Sequence, residues 1–152
     1  VSYRLSRRSL RNLAGVHPDL VRVVTEALKE TTVDFVVIEG LRSIERQAVL
    51  VAAGASQTMD SRHLTGHAVD LAAWLGEIRW DMGLYYSVAA AMQRASKARA
   101  IPIRWGGCWL RLDTTDKTPA QLVADYAASA RLAGKRAYID APHFELPRGI
   151  YK

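Results

Sequence analysis

Ser61-Arg62-His63-Leu64-Thr65-Gly66-His67-Ala68-Val69-Asp70-Leu71-Ala72-Ala73 runs from a polar loop into an apolar segment and carries two of the four histidines of the chain. Ala68 to Ala73 reads as a buried β-strand. Side chains alternate across a strand, so Ala68, Asp70 and Ala72 share one face. Asp70 is therefore a carboxylate among small apolar neighbours, and a buried carboxylate requires a charged or hydrogen-bonding partner. A metal ion, an arginine and a helix N-terminus are all partners of that kind.

Working outward, strands and helices alternate with short breaks. Ser6 to Leu13 reads as a short basic helix ending at Gly15. Residues 18–30 form an amphipathic helix with Pro18 in the first position and Leu20, Val23, Val24, Ala27 and Leu28 on one face; His17 is read as a residue of the helix start. Val33 to Glu39 is a β-branched strand, and Ser43 caps a helix that runs to about Ala53. Residues 55–66 read mostly as loop. Residues from Gly83 to about Ala100 are helical, and Ile103 to Trp105 is a short strand. Thr118-Pro119 opens a further helix with Leu122, Val123, Tyr126, Ala127 and Ala130 on one face. Ala137 to Asp140 is read as the last strand. No repeat or linker interrupts this order, so one α+β domain over residues 1–152 is expected.

A second cluster, Asp140-Ala141-Pro142-His143-Phe144-Glu145, pairs an acid with a histidine at the expected end of that last strand. Two imidazoles and one carboxylate are a common three-ligand catalytic zinc set that leaves a fourth position open. By itself, one histidine near one aspartate is more often a satisfied pair, and the helical H-E-x-x-H zinc motif does not occur here. Cys108 is the lone cysteine of the 152 residues, so neither an intrachain disulfide nor a cysteine-rich zinc module can form. Its neighbours, Gly106, Gly107 and Trp109, suggest a packed turn and not a nucleophile.

The balance of 21 basic and 15 acidic residues leaves a net charge of +6, which favours polyanions. Arg4, Arg7, Arg8 and Arg11 are a candidate docking patch, with a solvated helix face as the plainer reading. Basic residues are otherwise dispersed and no nucleic-acid-binding pattern stands out, so no nucleic-acid partner is expected. No apolar stretch is long enough for a membrane helix, and no secretory signal pattern is read at the N-terminus.

The pattern S-x-H-x-x-G-x-A-x-D is filled by Ser61, His63, Gly66, Ala68 and Asp70. It resembles the first metal motif of the zinc D-Ala-D-Ala carboxypeptidase and L-alanyl-D-glutamate peptidase family. Asp140-x-x-His143, followed by Phe144-Glu145, resembles the second motif. The likeness is closer to bacteriophage endolysins of the L-alanyl-D-glutamate type. It extends over Gly15-Val16-His17-Pro18-Asp19-Leu20, Glu39-Gly40-Leu41-Arg42, Arg46-Gln47 and Trp105-Gly106-Gly107, from about residue 8 to 147. Two departures stand out. Cys108 follows Gly106-Gly107 where relatives often carry an acid, and the stretch at about 109–136 is read as an insertion with its own helix.

Carried over residue by residue, the resemblance implies that His63, Asp70 and His143 are ligands of Zn2+. It implies that Asp140 is the catalytic acid/base and that Arg42 steadies the substrate or the oxyanion. The plainer roles are a strand-end cap for Asp140 and an ion pair with Glu39 or Glu45 for Arg42; Glu145 is the second choice of base, and Ser61 and His67 are candidates to support the ligands. The implied fold is a small single α+β domain whose antiparallel sheet carries the zinc site, flanked by helices. The implied activity is hydrolysis of the L-Ala–D-Glu bond of the peptidoglycan stem peptide. Such a lysin is expected to be a monomer without stable membrane insertion, held in the host cytoplasm until a membrane lesion releases it to the wall. Alternatives on the same scaffold are a D,D-carboxypeptidase, a D-Ala-D-Ala dipeptidase, and a non-catalytic wall-binding module with structural zinc.

Overall fold

The computed structural model describes residues 2–152 and contains five α-helices, a 3-10 helix and a mixed-length antiparallel sheet. The elements follow in the order α1 (Arg7–Asn12), α2 (Pro18–Glu30), β1 (Phe35–Glu39), α3 (Ile44–Ala52), the 3-10 helix (Arg62–Thr65), β2 (Ala68–Trp74), β3 (Ile78–Arg79), α4 (Met82–Arg99), β4 (Arg104–Trp105), β5 (Leu110–Arg111), α5 (Pro119–Leu132) and β6 (His143–Glu145). The sheet order is β1-β2-β6-β4-β5, with β3 also pairing with β2. Five helices and an antiparallel sheet in one small domain are the α+β fold expected from the sequence.

Local chemistry explains most of the boundaries. Ser6 accepts from the backbone N–H of Ser9, Ser43 from that of Arg46, and Thr118 forms a reciprocal capping box with Gln121. His17 caps α2 by accepting the Asp19 N–H on Nδ1. Along β2, Val69, Leu71 and Ala73 join the apolar core with Leu20, Val24 and Leu28 of α2 and Val88 and Met92 of α4. The alternation leaves Ala68, Asp70 and Ala72 on the opposite face of β2. That core is the rigid floor on which the site stands.

The structure corrects one strand. Residues 135–140 are irregular, and the strand that pairs with β2 is His143–Glu145. The Tyr138 N–H bonds to the Tyr126 hydroxyl at 3.0 Å, and the Asp140 N–H to the Gly106 carbonyl at 2.9 Å. With these donors engaged off the sheet, the β-rich composition of residues 137–140 does not become a strand. The two-residue strands β3 and β5 and the 3-10 helix were not anticipated; they are too short for a periodic signal. The helix read as Ser6 to Leu13 is shorter, Arg7–Asn12. On α5 Leu122 and Val123 are buried and Tyr126, Ala127 and Ala130 half-buried, so the expected five-residue stripe faces inward and is deepest near the start of the helix.

Candidate metal centre

Three side chains converge where β2, β6 and the 3-10 helix meet. Asp70 and His143 are direct cross-strand partners in the β2–β6 register, so their side chains leave the sheet on the same face. His63 arrives from the 3-10 helix, whose first turn is held by Ser61 accepting the His63 N–H at 3.2 Å. Gly66 ends that helix in the left-handed conformation with φ +73°, and a Cβ there would lie 2.4 Å from the Gly15 carbonyl oxygen. Only glycine allows both the turn and the close approach. Arg62 fastens the other side, donating to the carbonyl oxygens of Leu146 and Tyr151.

His63 Nε2 lies 3.2 Å from Asp70 Oδ1, and His143 Nδ1 lies 3.5 Å from the same oxygen. The three ligand atoms lie within 4.8 Å of one another, and both imidazoles are buried. The outward nitrogens are engaged as well. His63 Nδ1 is 2.9 Å from the Gly40 carbonyl, and His143 Nε2 is 2.7 Å from Glu145 Oε1. With a cation bound, each ring would donate its N–H outward and turn the lone pair of its other nitrogen to the ion beside the Asp70 carboxylate. Two lone pairs and an anion facing one point form a donor set that suits a divalent cation. The residues present fit a metal ion well.

The electrostatics point the same way. Burial would raise the Asp70 carboxyl, but His143 and His63 hold it well below the usual carboxylate range. Burial would lower His143, yet its bonds to Asp70 and Glu145 push it up to about 9. These carboxylates attract positive charge to the cluster, as they would a metal cation.

Arg42 and Asp140 lie on the same cleft, which has a volume of about 330 Å³ and is also lined by Glu39, Trp109 and Tyr138. Arg42 is buried and splits its guanidinium three ways. Nε donates to Glu39 at 2.7 Å, Nη1 to Gln47 Oε1 at 2.7 Å, and Nη2 lies 3.6 Å from Asp70 Oδ2. The ion pair with Glu39 and a position beside the candidate metal ligands thus coexist. Burial, followed by the charge of Asp70, pushes the Asp140 carboxyl above the usual range. Glu145 stands behind His143 and within 3.3 Å of Arg104, a supporting position and not that of a free base. His67 bonds to Thr65 at 2.7 Å and lies beside His17 and Tyr151, away from the three converging ligands. Cys108 is buried and its thiol is pushed up, which keeps it protonated.

Sequence reasoning missed four supporting groups. Gln47 is fully buried and carries Arg42; its amide also donates to Ser56 and to the Thr58 carbonyl. Arg104 backs Glu145, while Trp109 and Tyr138 stack to form one wall of the cleft. Gln47 lies within the quoted Arg46-Gln47, and Arg104 and Trp109 flank the quoted Trp105-Gly106-Gly107, but nothing in those stretches signalled a supporting role.

A model of the phage L-alanyl-D-glutamate peptidase family matches residues 1–147. The chain belongs to this family. Within it, the chain is similar to the L-alanyl-D-glutamate peptidase of Escherichia phage T5, 33% identical over 72% of this chain and 83% of that protein. It is also similar to the peptidase of the same name from Listeria phage A118, 32% identical over 70% of this chain but only 37% of that protein. Among solved structures, it resembles Serratia marcescens L-Ala D-Glu endopeptidase ChiX, with a TM-score of 0.74 and 41% identity over 99% of this chain and 94% of the other. Among the described residues no helix is long and apolar enough to cross a membrane.

Proposed function

We propose that this chain is a zinc endopeptidase that hydrolyses the L-Ala–D-Glu bond of the peptidoglycan stem peptide. The observation that carries the reading is the convergence of His63 Nε2, Asp70 Oδ1 and His143 Nδ1 on one cleft with Asp140, in a chain of this family. His63, Asp70 and His143 would hold the ion. A zinc ion there supplies Lewis acidity, lowering the pKa of a water from about 16 towards 7 and polarising the scissile carbonyl.

The protein's own groups do the rest. Asp140 takes the proton of the attacking water on its carboxylate and returns it to the leaving amine nitrogen. Its burial supports this role, because a carboxyl above its ordinary range holds a proton longer before release. Arg42 is held rigidly by Glu39 and Gln47, so Nη2 presents fixed positive charge to the cleft without reorganising as negative charge develops on the carbonyl oxygen. Glu145 and Gly40 fix the ring orientations of the two histidines. The positive net charge suits an anionic wall polymer.

The test is digestion of purified peptidoglycan with and without a chelator, with zinc restored afterwards and products identified by mass. New amines at D-Glu that vanish with chelator and return with zinc are the expected result. Release of D-Ala would establish the D,D-carboxypeptidase reading instead. Wall binding with metal bound and no new amine would leave only a binding module. Asp140→Asn is expected to lower kcat/KM by about 10²–10⁴-fold while retaining the metal.

A further inference from the structure

At Tyr138 the wall of the cleft nearest Asp140 is tied to α5 by one hydroxyl. Tyr126, on α5, accepts the Tyr138 N–H at 3.0 Å and donates to the Tyr138 carbonyl at 3.4 Å. That carbonyl also accepts from Trp109 Nε1 at 2.8 Å. The Trp109 and Tyr138 rings stack at 6.0 Å with an 8° tilt, and Trp109 lies 5.4 Å from the His143 ring. Trp109 has φ +61°, a conformation that a bulky residue keeps only where its surroundings hold it. Arg104 holds it from the other side, donating to its carbonyl at 3.0 Å with the guanidinium 4.9 Å from the ring.

One residue separates Tyr138 from Asp140, whose N–H reaches the Gly106 carbonyl at 2.9 Å and whose carbonyl accepts the His143 N–H at 3.1 Å. Residues 135–140 belong to no strand. Their geometry is therefore set by a few point attachments: the Lys135 N–H to the Ala130 carbonyl where the segment leaves α5, Gly106 and His143 on the metal side, and Tyr126 and Trp109 on the other. α5 itself is seated by Leu122 and Val123, so it does not need the Tyr126 hydroxyl to stay in place.

We propose that Tyr126 is a positioning residue: its hydroxyl anchors the backbone at Tyr138 and so sets the Trp109–Tyr138 wall and the Asp140 carboxylate relative to His63, Asp70 and His143. This rests on the function proposed above. It gives α5 a definite task, since the helix supplies the outer support of a segment that the sheet supports only from within. A shift of about 1 Å in a reacting group can lower a rate about 10²-fold, so a loosened anchor acts on kcat more than on binding.

The variant is Tyr126→Phe, which keeps the ring and removes only the hydroxyl. Two readouts are taken on the zinc-loaded full chain: amide hydrogen exchange at Tyr138 and Asp140 by NMR, and kcat and KM on a soluble stem peptide. The expected result is exchange at Tyr138 faster by about tenfold or more, kcat lower by about tenfold, KM within about twofold, and the same metal stoichiometry as the wild type. Unchanged exchange overturns the anchor. Faster exchange with unchanged kcat overturns the positioning role. A wild-type chain that yields no D-Glu amine overturns the proposed function and the catalytic half of this inference, while the exchange readout still decides the anchor by itself.

Discussion

Glu145 stands directly behind His143: its Oε1 accepts the Nε2–H at 2.7 Å, and Nδ1 is left facing Asp70 Oδ1 at 3.5 Å. The two residues are separated by Phe144, which points into the core, so the period of two along β6 places ligand and support on the same face. The tautomer of a metal-ligating histidine is set by the bond its other nitrogen makes, and for His143 as a candidate ligand that bond is to a buried carboxylate.

Removing that support is expected to weaken metal binding while the fold persists. Glu145→Ala should lower zinc affinity about 10–100-fold, the usual effect of losing such an outer partner. Competition with a chromogenic chelator measures it. An affinity equal to that of the wild type would show that the sheet alone orients His143.

Metal binding should also appear in stability. A ligand that binds only the folded state at a hundredfold excess over Kd adds about 2.7 kcal/mol. For a domain of this size that is a rise in Tm of roughly 5–10 °C. Chelation should remove the increment, and in His63→Ala added zinc should no longer produce it. Scanning calorimetry with and without zinc separates the cases.

Gly106 has almost no room for a side chain. A Cβ there would lie 2.3 Å from the Asp140 carbonyl oxygen and 3.0 Å from the His143 Cβ. Gly106→Ala must therefore displace both the ligand strand and the Asp140 turn. A loss of about 1–3 kcal/mol is expected from the overpacking, read by urea denaturation, with a fall in activity larger than the fraction unfolded explains.

Arg42 serves Glu39, Gln47 and the Asp70 side of the cleft from one planar group. Lysine is a single point charge and cannot serve all three. Arg42→Lys should lower kcat/KM about 10²-fold and destabilise the fold by about 1–3 kcal/mol, since Gln47 is left with an unpaired buried oxygen. If stability falls but kcat/KM stays within about twofold, the arginine is an ion-pair residue alone.

Much of the scaffold was legible in the chain itself. The amphipathic stripe of α2 and the caps at Ser43 and Thr118 are local signals, and each appears at or near its expected place. Alternation along residues 68–73 correctly set Asp70 apart from the core-facing residues Val69 and Leu71. The error at residues 137–140 has a plain cause: residue type favours a strand there, but the backbone donors are taken by the Tyr126 hydroxyl and the Gly106 carbonyl.

The sequence by itself determined two short clusters of histidine and carboxylate side chains, because residue chemistry and short-range spacing are properties of the chain; its resemblance to a known family singled out His63, Asp70 and His143 among them. What only the tertiary structure decided was their meeting. Asp70 and His143 lie 73 positions apart and become neighbours through the β2–β6 register. The hydrogen bonds that His63 donates to Gly40 and His143 to Glu145, the three-way sharing of Arg42, and the tie from Tyr126 to Tyr138 were equally hidden. Each is a contact between segments whose approach is set by packing and strand pairing, and no local periodicity encodes it.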